Sequence, residues 1–120
     1  MKTILVIEDN WEMRENTAEL LSLAGYNVLS APNGKIGYEK ALEDTPDVIL
    51  CDIMMPEIDG LSFLKLMRSN KSTNNIPLIF FSAGSAPATI RKDLAQYNYV
   101  YLAKPFTNEE LLSVVSLTLH

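Results

Sequence analysis

The chain alternates short apolar runs with longer stretches in which apolar residues recur at helical spacing. Four runs are strand-sized: Ile4-Leu5-Val6-Ile7, Val48-Ile49-Leu50-Cys51, Leu78-Ile79-Phe80-Phe81 and Tyr99-Val100-Tyr101-Leu102-Ala103. A weaker one at 27–31 closes at Pro32-Asn33-Gly34. Strands are predicted over 3–8, 27–31, 47–52, 77–82 and 99–103. Helices are predicted over 11–24, 35–44, 60–69, 87–96 and 108–119, of which 87–96 has the weakest pattern. Met13, Thr17, Leu20, Leu21 and Ala24 share one face of the first helix. Gly37, Tyr38, Ala41 and Leu42 share one face of the second, and Leu61, Leu64 and Met67 one face of the third. Asn10 is placed to cap the first helix and Gly25 to follow its end, while Thr107 or Asn108 can cap the last. A glycine inside a helix costs about 1 kcal/mol relative to alanine, so Gly37 predicts close packing on the sheet. Residues 70–75 read as a polar, exposed loop.

This β-then-α unit occurs five times. It predicts one α/β domain over residues 1–120, doubly wound, with a parallel sheet covered by helices on both faces. The continuous apolar runs at 48–51 and 78–81 suit central strands. In such a sheet, ligands bind beyond the carboxyl ends of the strands. At those ends the sequence places Glu8-Asp9, Asp52, Ser82 and Lys104-Pro105.

Composition narrows the setting. A length of 120 residues with 48% hydrophobic residues supports one ordinary core. No apolar run is long enough to span a bilayer, and the start lacks a signal-peptide pattern, so a cytoplasmic location is expected. The single cysteine, Cys51, lies inside an apolar run, which suits a core position and a reducing compartment. The single histidine is the last residue, His120, so no histidine-based site is expected. A net charge of −5 argues against nucleic acid or an anionic membrane as partner.

The strand-end residues suggest a chemistry. Glu8, Asp9 and Asp52 would crowd three carboxylates, and a bound divalent cation relieves their repulsion. Hard oxygen ligands suit Mg²⁺. Lys104 adds a second positive charge and Ser82 a hydroxyl. Metal, lysine and hydroxyl around one carboxylate make a phosphoryl-transfer site, with Asp52 as nucleophile. Each piece alone has an ordinary explanation: a solvated acidic loop, a capping serine, a Lys-Pro turn. Their joint occurrence at successive strand ends argues for a site.

With these residues in place, the chain resembles a receiver domain of the two-component response regulators, chemotaxis-receiver-like, over essentially its whole length. Glu8-Asp9, Asp52-Ile53-Met54-Met55-Pro56 with Asp59-Gly60, Ser82-Ala83 and Lys104-Pro105-Phe106 carry the resemblance. It implies a flavodoxin-like (βα)5 fold with strand order 2-1-3-4-5. It implies Asp52 as phosphoacceptor and Mg²⁺ held by Asp9, Asp52, the Met54 carbonyl and, mainly through water, Glu8. Lys104 would pair with the phosphoryl group and Ser82 would bond one of its oxygens. Ser82 and Tyr101 would form the switch, and the Lys104-Pro105 bond would be cis. The donor would be a sensor histidine kinase or a histidine phosphotransfer domain. The output would be a downstream protein effector, engaged through the fourth predicted helix, last strand and last helix, where a homodimer can also form. Catalysis would be limited to the domain's own phosphorylation and dephosphorylation, so it is not read as an enzyme on separate substrates.

Some positions depart from the family or extend it. Gln96-Tyr97-Asn98-Tyr99 replaces the usual Gly-Ala pair, and Tyr97, Tyr99 and Tyr101 form either half-exposed packing or a docking surface. Met54 and Gly84 cannot orient water by side-chain hydrogen bonds, which predicts a long-lived phosphorylated form. Trp11 is either a packing staple or, with Pro105 and Phe106, an apolar rim that meets the kinase partner. Other readings stay open: a phosphorelay intermediate, or a receiver segment of a larger regulator or hybrid kinase. A haloacid-dehalogenase-type phosphatase would want an aspartate where Met54 stands. A flavin-binding flavodoxin-like protein would want small hydroxyl and glycine residues in the first strand–helix loop.

Overall fold

The computed structural model describes residues 1–53, 58–83 and 99–119, with the side chains of Ser82 and Ala83 outside that description. Strands β1 (Thr3–Ile7), β2 (Asn27–Ala31), β3 (Val48–Asp52), β4 (Leu78–Ala83) and β5 (Val100–Lys104) form one sheet in the order β2-β1-β3-β4-β5. All pairings are parallel. The flavodoxin-like order expected from the resemblance is therefore the order observed. Helices α1 (Trp11–Leu23), α2 (Gly34–Asp44) and α3 (Gly60–Ser69) join the strands, and a last helix, Asn108–Leu119, follows β5. The predicted helix 87–96 lies outside the described residues.

The sheet separates two apolar cores, because neighbouring residues of a strand face opposite sides. Leu5, Ile7, Ile49, Cys51, Leu78 and Phe80 meet Ala41 of α2 and Phe63, Leu64 and Met67 of α3. Ile4, Val6, Val48, Leu50, Ile79, Phe81 and Leu102 meet Leu21 of α1 and Leu111 and Val115 of the last helix. Burial on both faces explains why β3 is buried at every position and reads as one apolar run.

Capping fixes where the helices start. Asn10, Asn33 and Asp59 accept hydrogen bonds from the amides of Met13, Ile36 and Ser62. The last helix opens on a capping box: the Glu110 amide donates to the Thr107 hydroxyl, and the Thr107 amide donates to the Glu110 carboxylate. Thr107 is therefore the cap, rather than Asn108. Gly25, at φ +100°, turns the chain out of α1. A Cβ on Gly37 would stand 2.8 Å from Ile7 Cγ1, so the predicted close packing of α2 on β1 is real.

Four sequence readings are corrected. Leu42 is 39% exposed on α2, and Ala24 follows α1 at the surface. Met13 leaves the core face of α1 and stands exposed. Thr73, inside the nominally exposed loop, is fully buried and donates its hydroxyl to the Met67 carbonyl. That bond satisfies a carbonyl freed at the end of α3. Polarity alone hid it, because a threonine that caps a helix end reads like any loop threonine.

Candidate functional site

Register brings the strand ends together. Ala31, Ile7, Cys51, Phe80 and Tyr101 lie in one row across the sheet. One residue further along each strand come Glu8, Asp52, Phe81 and Leu102, and beyond these Asp9, Ser82, Ala103 and Lys104. The sheet thus ends on its acids, its hydroxyl residue and its lysine, as the strand pattern predicts.

Glu8 is nearly fully buried, Asp52 is buried and Asp9 is exposed. One carboxylate oxygen of each lies within 4.8 Å of the others. Lys104 crosses to them from β5. Its Nζ lies 3.2 Å from Glu8 Oε1 and 3.9 Å from Asp52 Oδ2. The same ammonium stands 4.8 Å over the centre of the Phe81 ring, a cation–π placement that an apolar rim makes favourable.

Burial first, then the side chain of Asp9, pushes the Glu8 carboxyl above its ordinary range. The Asn10 amide and Lys104 pull it down, and the Asp52 charge adds to the rise. Arg14 of α1 donates to the Glu8 backbone carbonyl at 2.8 Å and ties the acidic turn to the helix. Cys51 is buried beside this cluster. Burial, then Asp52 and Glu8, push its thiol well up, which keeps it neutral and in the core role predicted for it.

The donor set fits a hard divalent cation. Three carboxylates supply oxygen only, one is exposed enough to admit water, and one ammonium leaves their charge largely uncompensated. Among the described residues, Glu8, Asp9 and Asp52 could hold such an ion. Met54, read as the fourth protein ligand, lies outside the described residues. Ser82 takes its place on β4 opposite Ala103, with its hydroxyl outside the description.

The remaining sequence candidates occupy the surroundings. Tyr101 is half-buried against the core shared with α2 and α3. Tyr99 meets Phe80 edge-on at 5.7 Å, so it packs, while Tyr97 lies outside the described residues. The Lys104-Pro105 bond is cis. Phe106 stacks edge-on with Phe81 at 6.2 Å, and Pro105 is exposed. Trp11 is 65% exposed.

Sequence reasoning missed Met13, Arg14 and Phe81. Met13 Sδ lies 3.7 Å from Lys104 Nζ. Its helical spacing pointed to the core, and only the turn of α1 over the sheet edge reveals otherwise. Arg14 could have been suspected as a cation one turn beyond the acid pair.

A family model for the response regulator receiver domain matches residues 4–116. The chain belongs to that family. It is 41% identical over 113 residues to hybrid signal transduction histidine kinase D of Dictyostelium discoideum, covering 93% of this chain and 7% of the kinase. Against two relatives described as transcriptional regulators and one described as a response regulator it spans about half their length, from 45% to 51%. The crystal structure of chemotaxis protein CheY4 from Vibrio cholerae superposes with a TM-score of 0.89 at 28% identity, covering 98% of both chains. The receiver domain of sensor histidine kinase PA1611 from Pseudomonas aeruginosa, solved with a magnesium ion coordinated in its active site cleft, superposes at 0.88 with 28% identity and coverage of 98% and 97%. Among the described residues no helix is long and apolar enough to cross a membrane.

Proposed function

We propose that this receiver domain accepts a phosphoryl group on Asp52 from a phosphohistidine of a sensor kinase or a histidine phosphotransfer domain, and thereby changes which protein it binds. The observation that carries the reading is the Lys104 ammonium, set between Glu8 and Asp52 at the end of the sheet. A carboxylate flanked by two others is a poor nucleophile toward an anionic phosphoryl group unless positive charge compensates it. Lys104 supplies one such charge.

Glu8, Asp9 and Asp52, with the Met54 carbonyl, would hold Mg²⁺. The bound ion would neutralise the phosphoryl oxygens and orient them toward Asp52. An Asp52 oxygen attacks phosphorus in line, the bond from phosphorus to the histidine nitrogen breaks, and an acyl phosphate forms. Lys104 then pairs with a phosphoryl oxygen, and Ser82 donates its hydroxyl to another. Tyr101, half-buried on β5, relays the change to the last strand and last helix. Val100 and Leu117 expose apolar surface on those elements, which suits an effector or a second copy of the chain. The domain acts on no separate substrate.

Transfer of labelled phosphate from a phosphorylated histidine phosphotransfer protein tests this. Label should move to the wild type and not to Asp52→Asn. Label on the Asp52→Asn variant would overturn the assignment. Prompt return of label to a second phosphotransfer protein would favour a relay over a switch.

A further inference from the structure

We propose that Met13 is an oxidation-sensitive modification site that governs Lys104. The proposal rests on Lys104 being the partner of the phosphoryl group. Met13 lies in the first turn of α1, 37% exposed, with Sδ 3.7 Å from Lys104 Nζ. The same ammonium faces Glu8, Asp52 and the Phe81 ring. A thioether accepts hydrogen bonds weakly, so reduced Met13 competes poorly with those anions and leaves the lysine available.

Oxidation changes that balance. The sulfur lone pair attacks one oxygen of hydrogen peroxide, the S–O bond forms, the O–O bond breaks and water leaves. Sulfur loses two electrons and the peroxide gains them. A sulfoxide S–O bond of about 1.5 Å, angled ordinarily toward Lys104, brings its oxygen to roughly 2.7 Å from Nζ, the length of a good hydrogen bond to an ammonium. No helix movement is needed. One sulfoxide epimer points its oxygen at the lysine, and each epimer has its own reductase.

Other described methionines serve as references. Met1 is 94% exposed and Met67 is fully buried. Peroxide should therefore oxidise Met1 and Met13 and spare Met67, since reactivity follows exposure.

The test is limited peroxide treatment of wild type and Met13→Leu, with peptide mass spectrometry to locate sulfoxides. Phosphorylation by acetyl phosphate with Mg²⁺ is then timed for each protein against its own untreated sample. Treated wild type should react about tenfold more slowly, as expected when one hydrogen bond to a charged group is diverted. Treated Met13→Leu should keep its rate, and methionine sulfoxide reductase should restore the wild type. An unchanged wild-type rate with Met13 fully oxidised, or equal slowing in Met13→Leu, overturns the proposal. If untreated wild type forms no adduct, the timing is repeated with a phosphorylated histidine phosphotransfer protein as donor, and no label on the wild type there means that the phosphoacceptor reading has failed instead. A Mg²⁺ titration followed by Trp11 fluorescence then decides the Met13–Lys104 link. Tighter binding after oxidation supports it, because the carboxylates have lost their cation, and an unchanged midpoint overturns it.

Discussion

The Lys104 ammonium lies nearer Glu8, at 3.2 Å, than Asp52, at 3.9 Å. The lysine thus leans toward the buried acid at the end of β1 rather than toward the proposed phosphoacceptor. Two carboxylates, Glu8 and Asp52, share this cation, and a third, Asp9, has an oxygen within 4.8 Å of theirs. The excess negative charge makes the metal-free site a local cost to stability, which a divalent ion held there would relieve.

Removing one of those charges should stabilise the metal-free protein. Asp52→Asn is expected to raise unfolding stability by about 1 kcal/mol near neutral pH, since one like-charge repulsion disappears. Urea denaturation with and without Mg²⁺ checks this. The advantage should shrink or reverse when Mg²⁺ is saturating, because the wild type binds the ion more tightly. No gain without metal would mean that Lys104 already offsets the repulsion.

Mg²⁺ binding should weaken as pH falls. Burial raises Glu8 above the usual carboxylate range. A carboxyl raised in the folded state lends stability below its ordinary value, and that contribution is lost as pH rises through the raised value. The metal-free fold therefore loses the contribution of Glu8 toward neutral pH, where the ionised cluster favours a cation. In acid, Mg²⁺ must displace the proton on Glu8. The thermal shift caused by Mg²⁺ should be larger at neutral pH than at about pH 5. Glu8→Gln should flatten that difference, and an unaltered profile in the variant would assign the pH dependence elsewhere.

Two glycines should separate packing from site geometry. A Cβ on Gly37 meets the Ile7 side chain, so Gly37→Ala is expected to cost about 1–3 kcal/mol through overpacking. A Cβ on Gly60 would lie 2.9 Å from Ile53 Cα, which is backbone directly after Asp52. Gly60→Ala should therefore weaken Mg²⁺ affinity as well as stability. Equal Mg²⁺ affinity in both variants would contradict the distinction.

The phosphorylated form should be long-lived. Neither Met54 nor Gly84 can orient an attacking water by a side-chain hydrogen bond. Decay of the phosphorylated wild type should be slower than that of Met54→Asn. Faster wild-type decay would refute the assignment.

Much of this fold is written in its apolar runs. β3 and β4 are continuous because both faces of the sheet are covered, and the caps Asn10 and Thr107 stand where side-chain oxygens can reach free amides. The acids and the lysine were legible because strand ends in a parallel sheet converge. What was not legible depends on a third dimension that periodicity lacks. Met13 fits the helical stripe of α1 yet overhangs the sheet edge toward Lys104, and Thr73 fits a polar loop yet turns inward to close α3. The unequal sharing of Lys104 between Glu8 and Asp52 is likewise a matter of tenths of an ångström.

The most direct measurement is intact mass after incubation with acetyl phosphate, for wild type and Asp52→Asn, with and without Mg²⁺. One added phosphoryl group that requires both Asp52 and Mg²⁺ is the predicted result. An adduct of the same size on Asp52→Asn, or one formed equally well without Mg²⁺, would contradict the phosphoacceptor site described here.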